Sequence, residues 1–151
     1  MRPAAGALAT AGVVVALDQG TKALVVAQIA PGEHVDVVPG LGLTNVRNTG
    51  VAFGALDGAG LVVAVLIGLS LALLLAYFAT HLDTPWLWLP VGGLFGGALG
   101  NLADRARDGA VVDFIDPVRW PAFNVADMCI VGGVLLLLYV VEKGARRTSS
   151  S

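Results

Sequence analysis

GAGLVVAVLIGLSLALLLAYFAT, residues 58–80, runs without a charged side chain, and TPWLWLPVGGLFGGALGNLA, residues 84–103, repeats the feat after the short turn 81–83. A helix needs about 20 mostly apolar residues to cross a bilayer, so these two stretches read as a pair of spans joined by a tight turn. Working outward, two further apolar segments of that length occupy about 4–29 and about 124–141. The first holds Asp18 and Lys22, the last Asp127 near its start. The pattern predicts a mainly α membrane protein, a four-transmembrane-helix bundle forming one domain over 1–151. Gly92, Gly93, Gly96, Gly97 and Gly100 suit close helix approach in lipid and put the third span at the centre of the bundle.

Composition agrees. Of 151 residues, 56% are hydrophobic and 13% charged, about half the charged share of an average soluble domain. The formal net charge of −2 argues against nucleic acid, which needs a clustered excess of Lys and Arg. Cys129 is the only cysteine, so an internal disulfide or a Cys-based zinc site is excluded, and His34 and His81 lack the spacing of a His metal motif. No metal or cofactor is expected. The apolar run behind Arg2 continues past Lys22 into 23–30 with no small-x-small cleavage site, so it reads as a retained span rather than a signal peptide.

Four spans put both termini on one side. Arg2, Lys143, Arg146 and Arg147 lie at the ends, whereas Arg47, Arg105, Arg107 and Arg119 lie in the two outer loops, mostly near Asp104, Asp108, Asp113 or Asp116. The positive-inside rule then places both ends in the cytoplasm of an inner-membrane protein. Segment 31–57, with Val35, Val37 and Val38 followed by Leu41, Leu43 and Val46, suggests a short strand or two on the outer surface. Segment 104–123 is charged but holds the apolar runs 110–112 and 114–115, which read as an element dipping back toward the interface.

Ionisable residues inside a span cost several kcal/mol each and need a reason. Asp18 and Lys22, four apart, share a helical face and read as a structural ion pair or as catalytic groups. Asp113 sits in VVDFI and Asp127 in FNVADM, close enough in sequence for a returning loop to bring them face to face. Two adjacent carboxylates share a proton, and such a pair can activate water and polarise a scissile carbonyl. Spacing alone leaves another reading open: Asp127 as a helix N-terminal charge, and Asp113 as a partner of Arg105 or Arg107. Asn48, Gly50 and Asn101 could be turn and packing residues, and Arg105 an interfacial anchor.

Taken together, LDQGTK (17–22), NTGVAFG (48–54), GGALGNLADR (96–105) with GAVVDF (109–114), and FNVAD (123–127) resemble the lipoprotein signal peptidase family, also called signal peptidase II, in order and over nearly the whole chain. The resemblance implies a metal-independent aspartyl endopeptidase with Asp113 and Asp127 as its dyad. Its substrates would be diacylglyceryl-modified prolipoproteins, cut on the N-terminal side of the lipidated cysteine at the extracytoplasmic side of the membrane. It further implies that Asn48, Gly50, Asn101, Arg105 and Asn124 line the substrate site, that Asp18 and Lys22 support it, that 31–57 forms a small extracytoplasmic β-cradle, and that the protein works as a monomer open to globomycin-type inhibitors. Val51 and Met128 depart from the family's common Ala and Ser, which bears on the pocket and not on the dyad. Two rivals from other classes are a small proton- or ion-conducting membrane subunit, recognised by proton flux without a peptide product, and a helix-bundle assembly factor, which would tolerate Asp→Asn at both sites.

Overall fold

The computed structural model describes residues 2–49 and 60–148. Among these residues four helices, α1 Pro3–Gln28, α2 Gly60–Thr80, α3 Trp88–Asp108 and α4 Val125–Thr148, accompany three strands, β1 His34–Val38, β2 Leu41–Asn48 and β3 Val111–Pro117. Within the described residues, each apolar segment read from the sequence contains a helix. α3 starts a turn later and ends a turn further on than expected, closed by Gly109 in the left-handed region at φ 71°, and α4 runs on to Thr148. Among the described residues, Pro3–Gln28 and Val125–Gly144 are long and apolar enough to cross a membrane, while the described apolar part of α2 is Val65–Thr80.

The polarity of this bundle is turned inside out. Leu8, Leu24, Leu73, Leu135 and Leu138 are all more than half exposed, whereas Asp18, Asp104 and Asn124 are 0% exposed and Lys22 2%. Water would reverse that arrangement; a hydrocarbon solvent favours it. α3 packs against both α1 and α4, as the glycine spacing predicts. A Cβ on Gly96 would lie 2.7 Å from the Val14 Cβ, one on Gly97 2.6 Å from the Ala126 carbonyl oxygen, and one on Gly100 2.5 Å from Asp18 Oδ2. Gly96 and Gly100 therefore admit α1, and Gly97 admits α4.

Two apolar clusters close the ends. Ala7, Phe78, Leu87, Val91 and Val140 gather the start of α1, the end of α2, the approach to and start of α3, and the body of α4. Val25, Ile29 and Phe114 join the end of α1 to the sheet. The sheet is antiparallel in the order β1-β2-β3. Its third strand differs from the sequence expectation: 110–115, read as a segment dipping toward the interface, pairs with β2, Val46 opposite Asp113 and Leu43 opposite Ile115. Apolar residues on both faces hide a strand's alternation, and Val111, Val112, Asp113 and Phe114 are all buried. The register between Leu43 and Val46 shifts, turning Thr44 and Asn45 inward, where Thr44 Oγ1 donates to Glu33 O and Asn45 Nδ2 to Ile29 O.

On the sheet's exposed face His34 joins β1 to β3, with Nδ1 2.8 Å from Asp116 Oδ2 and Nε2 3.1 Å from Asp36 Oδ1. Its ring lies across Gly42 of the intervening strand, where a side chain would collide with it. Hydrogen bonds to Asp36 and Asp116 raise the His34 pKa above its ordinary value. A raised folded pKa favours the cation, so the staple's contribution is complete below about pH 6.5 and is lost as pH rises through the folded value.

Two outcomes are expected. Gly100→Ala should destabilise the detergent-solubilised protein by about 1–3 kcal/mol in thermal denaturation, while Gly132→Ala, whose Cβ meets nothing within 4 Å, should not. His34→Gln should lower the melting temperature slightly at pH 5.5, less in high salt, and not at all at pH 9.

Candidate active site

The loop after β3 turns back on itself. Phe123 accepts from the Phe114 and Ile115 amides at 3.0 and 2.8 Å and donates to the Ile115 carbonyl at 3.0 Å. This clasp sets Asn124 beside Asp113 and starts α4 at the next residue. Asn124 then serves two neighbours. Its Oδ1 accepts from the Asp127 amide at 2.9 Å while Asp127 Oδ2 accepts from the Asn124 amide at 3.3 Å, a reciprocal cap that satisfies donors at the head of α4. Its Nδ2 donates to Asp113 Oδ1 at 2.7 Å and lies 3.2 Å from Asn101 Oδ1.

Asn101 completes the link, its Nδ2 donating to Asp127 Oδ1 at 2.8 Å. Asn48, at the end of β2, donates to Asp113 Oδ2 at 2.8 Å. The returning loop expected from the sequence is thus present, and Asp113 and Asp127 share a network of three asparagines. Asp113 is 4% exposed and Asp127 half-buried. Burial pushes the Asp113 carboxyl above the ordinary carboxylate range; the Asn48 and Asn124 hydrogen bonds oppose this, and the charge of Asp127 adds to it.

Behind this network lies a cluster of charges. Lys22 Nζ is 2.8 Å from Asp18 Oδ2, 2.7 Å from Asp104 Oδ2 and 2.9 Å from Asn101 Oδ1. Asp18 Oδ1 accepts from the Ala126 amide at 2.9 Å, so a first-helix carboxylate satisfies a donor at the head of α4. Of the two readings of Asp18 and Lys22, the ion pair is the one the geometry realises, and it ties α1 to α3 and α4. Arg107 bonds to Asp104 at 3.2 Å and to Asp108 at 3.2 Å, and Asp113 bonds to asparagines, so the alternative of an Arg107–Asp113 pair is not what forms. Arg105, half-buried, lays its guanidinium back along α3 onto the Asn101 carbonyl at 3.4 Å. Gly50 lies outside the described residues.

Sequence reasoning passed over Gln19 and the depth of Asp104. Gln19 Nε2 donates to Asp18, to Asp104 and to the Gly100 carbonyl. A signal existed: Asp104 is three residues after Asn101 and so shares its helical face, toward the spans rather than the loop.

A helix bundle with apolar flanks and a small three-stranded antiparallel sheet defines the fold. Two solved bacterial membrane enzymes share it, one with TM-score 0.83 and 32% identity, covering 92% of this chain and 88% of its own, the other with TM-score 0.80 and 33% identity, covering 89% and 91%. The sequence model of signal peptidase (SPase) II matches residues 10–142, and the chain belongs to that family of proteases. Lipoprotein signal peptidases of Pelotomaculum thermopropionicum and Moorella thermoacetica are 42% and 43% identical, over 91% and 83% of this chain and 91% and 85% of theirs.

Asn124 is fully buried with both ends of its amide engaged, so Asn124→Ala should strand polar partners and lower stability by about 1–3 kcal/mol. Its thermal melt should fall well below that of Thr49→Ala, an exposed position beside the site.

Proposed function

We propose that this signal peptidase II removes signal peptides from prolipoproteins by aspartyl chemistry, with Asp113 and Asp127 as the catalytic pair. The observation that carries the reading is the asparagine network holding the two carboxylates at one site, one buried and the other half-exposed. Asp113, whose environment favours the neutral acid, donates a hydrogen bond to the scissile carbonyl oxygen. Asp127, facing the open side, accepts a proton from water as the water oxygen attacks the carbonyl carbon. The tetrahedral intermediate collapses when the amide nitrogen takes a proton from the dyad, giving a carboxylate on the signal peptide and a free amine on the lipoprotein.

The substrate is a diacylglyceryl-modified prolipoprotein, cut on the N-terminal side of its lipidated cysteine. A diacylated chain is confined to the bilayer, so the carboxylates must meet it at the lipid boundary. The bundle meets that need with apolar walls and a polar end under the sheet. All four helices cross the inner membrane, both termini are cytoplasmic, and the sheet and dyad lie on the extracytoplasmic side. Asn48, Asn101 and Asn124, with Gly50 and Arg105, line the path of the substrate backbone, where asparagine amides both donate and accept and an Arg guanidinium offers several donors.

Purified protein supplied with a diacylglyceryl-modified prolipoprotein should release the signal peptide, and Asp113→Asn or Asp127→Asn should each reduce kcat by about 10³-fold or more. The pH–rate profile should be bell-shaped. Its alkaline limb follows loss of the Asp113 proton and so lies above the range of an ordinary carboxylate. A folded variant cleaving at the wild-type rate, or proton flux into liposomes without any peptide product, would overturn the assignment.

A further inference from the structure

Lys22 has no place in the chemistry just described, yet it is 2% exposed and shares its ammonium among three partners on two helices. Two of these, Asp18 and Asp104, are carboxylates, and an ion pair would need no more. The third is Asn101 Oδ1 at 2.9 Å. That contact has a consequence for the dyad. An asparagine amide presents an acceptor at one end and a donor at the other, and nothing in its own shape prefers either orientation. With the ammonium bound to Oδ1, and Asn124 Nδ2 3.2 Å from the same oxygen, Nδ2 is left to face Asp127 Oδ1 at 2.8 Å. The reversed amide would set two donors against the ammonium and an oxygen against a carboxylate.

We infer that Lys22 is a positioning residue for the peptidase reaction: through Asn101 it fixes a donor on Asp127 Oδ1, aiming that carboxylate at the attacking water. The inference rests on the dyad reading above. Lys22 faces Asp18 on its own helix, and Asp104 and Asn101 on α3; Arg107 and Gln19 bond to the far oxygen of Asp104. Asp127 meets Asn101 from α3 and the Asn124 amide from its own helix cap, and the Asp113 carboxyl approaches from β3. The Asn101–Asp127 bond also spans α3 and α4, so the relay makes the position of the attacking carboxylate depend on the register of α1 against α3.

The test separates this role from a structural one. Lys22→Gln combined with Asp18→Asn removes one charge of each sign and leaves Asp104 paired with Arg107. With the prolipoprotein as substrate, this double variant should lose about 10²-fold in kcat with KM within about threefold of wild type, and the acidic limb of its pH–rate profile should move to higher pH. Asn101→Ser, which leaves the ion cluster whole, should show the same split and the same displaced limb. Combining all three changes should do no more than either set alone, because both cut one chain of contacts. Independent, additive losses, or an acidic limb that stays in place in either variant, would overturn the relay. Should the double variant fail to fold, Asn101→Ser decides by itself, since Asn101 is the side chain that touches both Lys22 and Asp127. The dyad reading fails separately, by retained activity in Asp113→Asn or Asp127→Asn.

Discussion

A buried charge must be matched, and in this protein that requirement organises the interior. Lys22, Asp18 and Asp104 lie together where neither water nor lipid can solvate them, and an unpaired ion there would cost several kcal/mol. Each charge is instead placed against another, and the remaining polar atoms are taken up by Gln19, Asn101, Arg107 and the Ala126 and Val112 amides. Those partners come from α1, α3, β3 and the head of α4. Satisfying the charges therefore fixes how these elements meet. The glycines of α3 serve the same end, since Gly100 leaves the space that Asp18 occupies.

Asp113 and Asp127 are positioned by two different local devices. Asp127 belongs to a helix cap, where φ and ψ are set by the start of α4 and the carboxylate is tied to the Asn124 amide. Asp113 belongs to a strand whose register against β2 brings Asn48 within reach of it. The Phe123 clasp joins the two, holding the strand and the cap in one short stretch of chain. Asp113 is thus carried by a strand and Asp127 by the first turn of a helix.

The helices were legible because length and apolarity are one-dimensional quantities, and β1 and β2 because their apolar residues roughly alternate along the chain. β3 was not. Its residues are buried on both faces, so Val111, Val112 and Phe114 show no alternation, and its status comes from a partner strand more than sixty residues earlier. The aspartates stood out as acids in apolar surroundings. Gln19 and Asp104 did not, since one is a neutral side chain inside a motif and the other resembles a loop charge until α3 is seen to continue through it.

What the sequence by itself determined is the solvent the chain must live in, the four helical segments, the acids that need explaining, and the family to which their order is similar. Composition and spacing suffice for these, because each depends on residues near one another in the chain. Only the tertiary structure decided that Asp18 and Lys22 form an ion pair, that Asp104 completes it, and that Asn124 and Asn101 link Asp113 to Asp127 while Asn48 holds the other oxygen of Asp113. A hydrogen bond is specific over a few tenths of an ångström and an amide has two unlike ends, so its partners are settled only when helices and strands distant in sequence have closed upon one another.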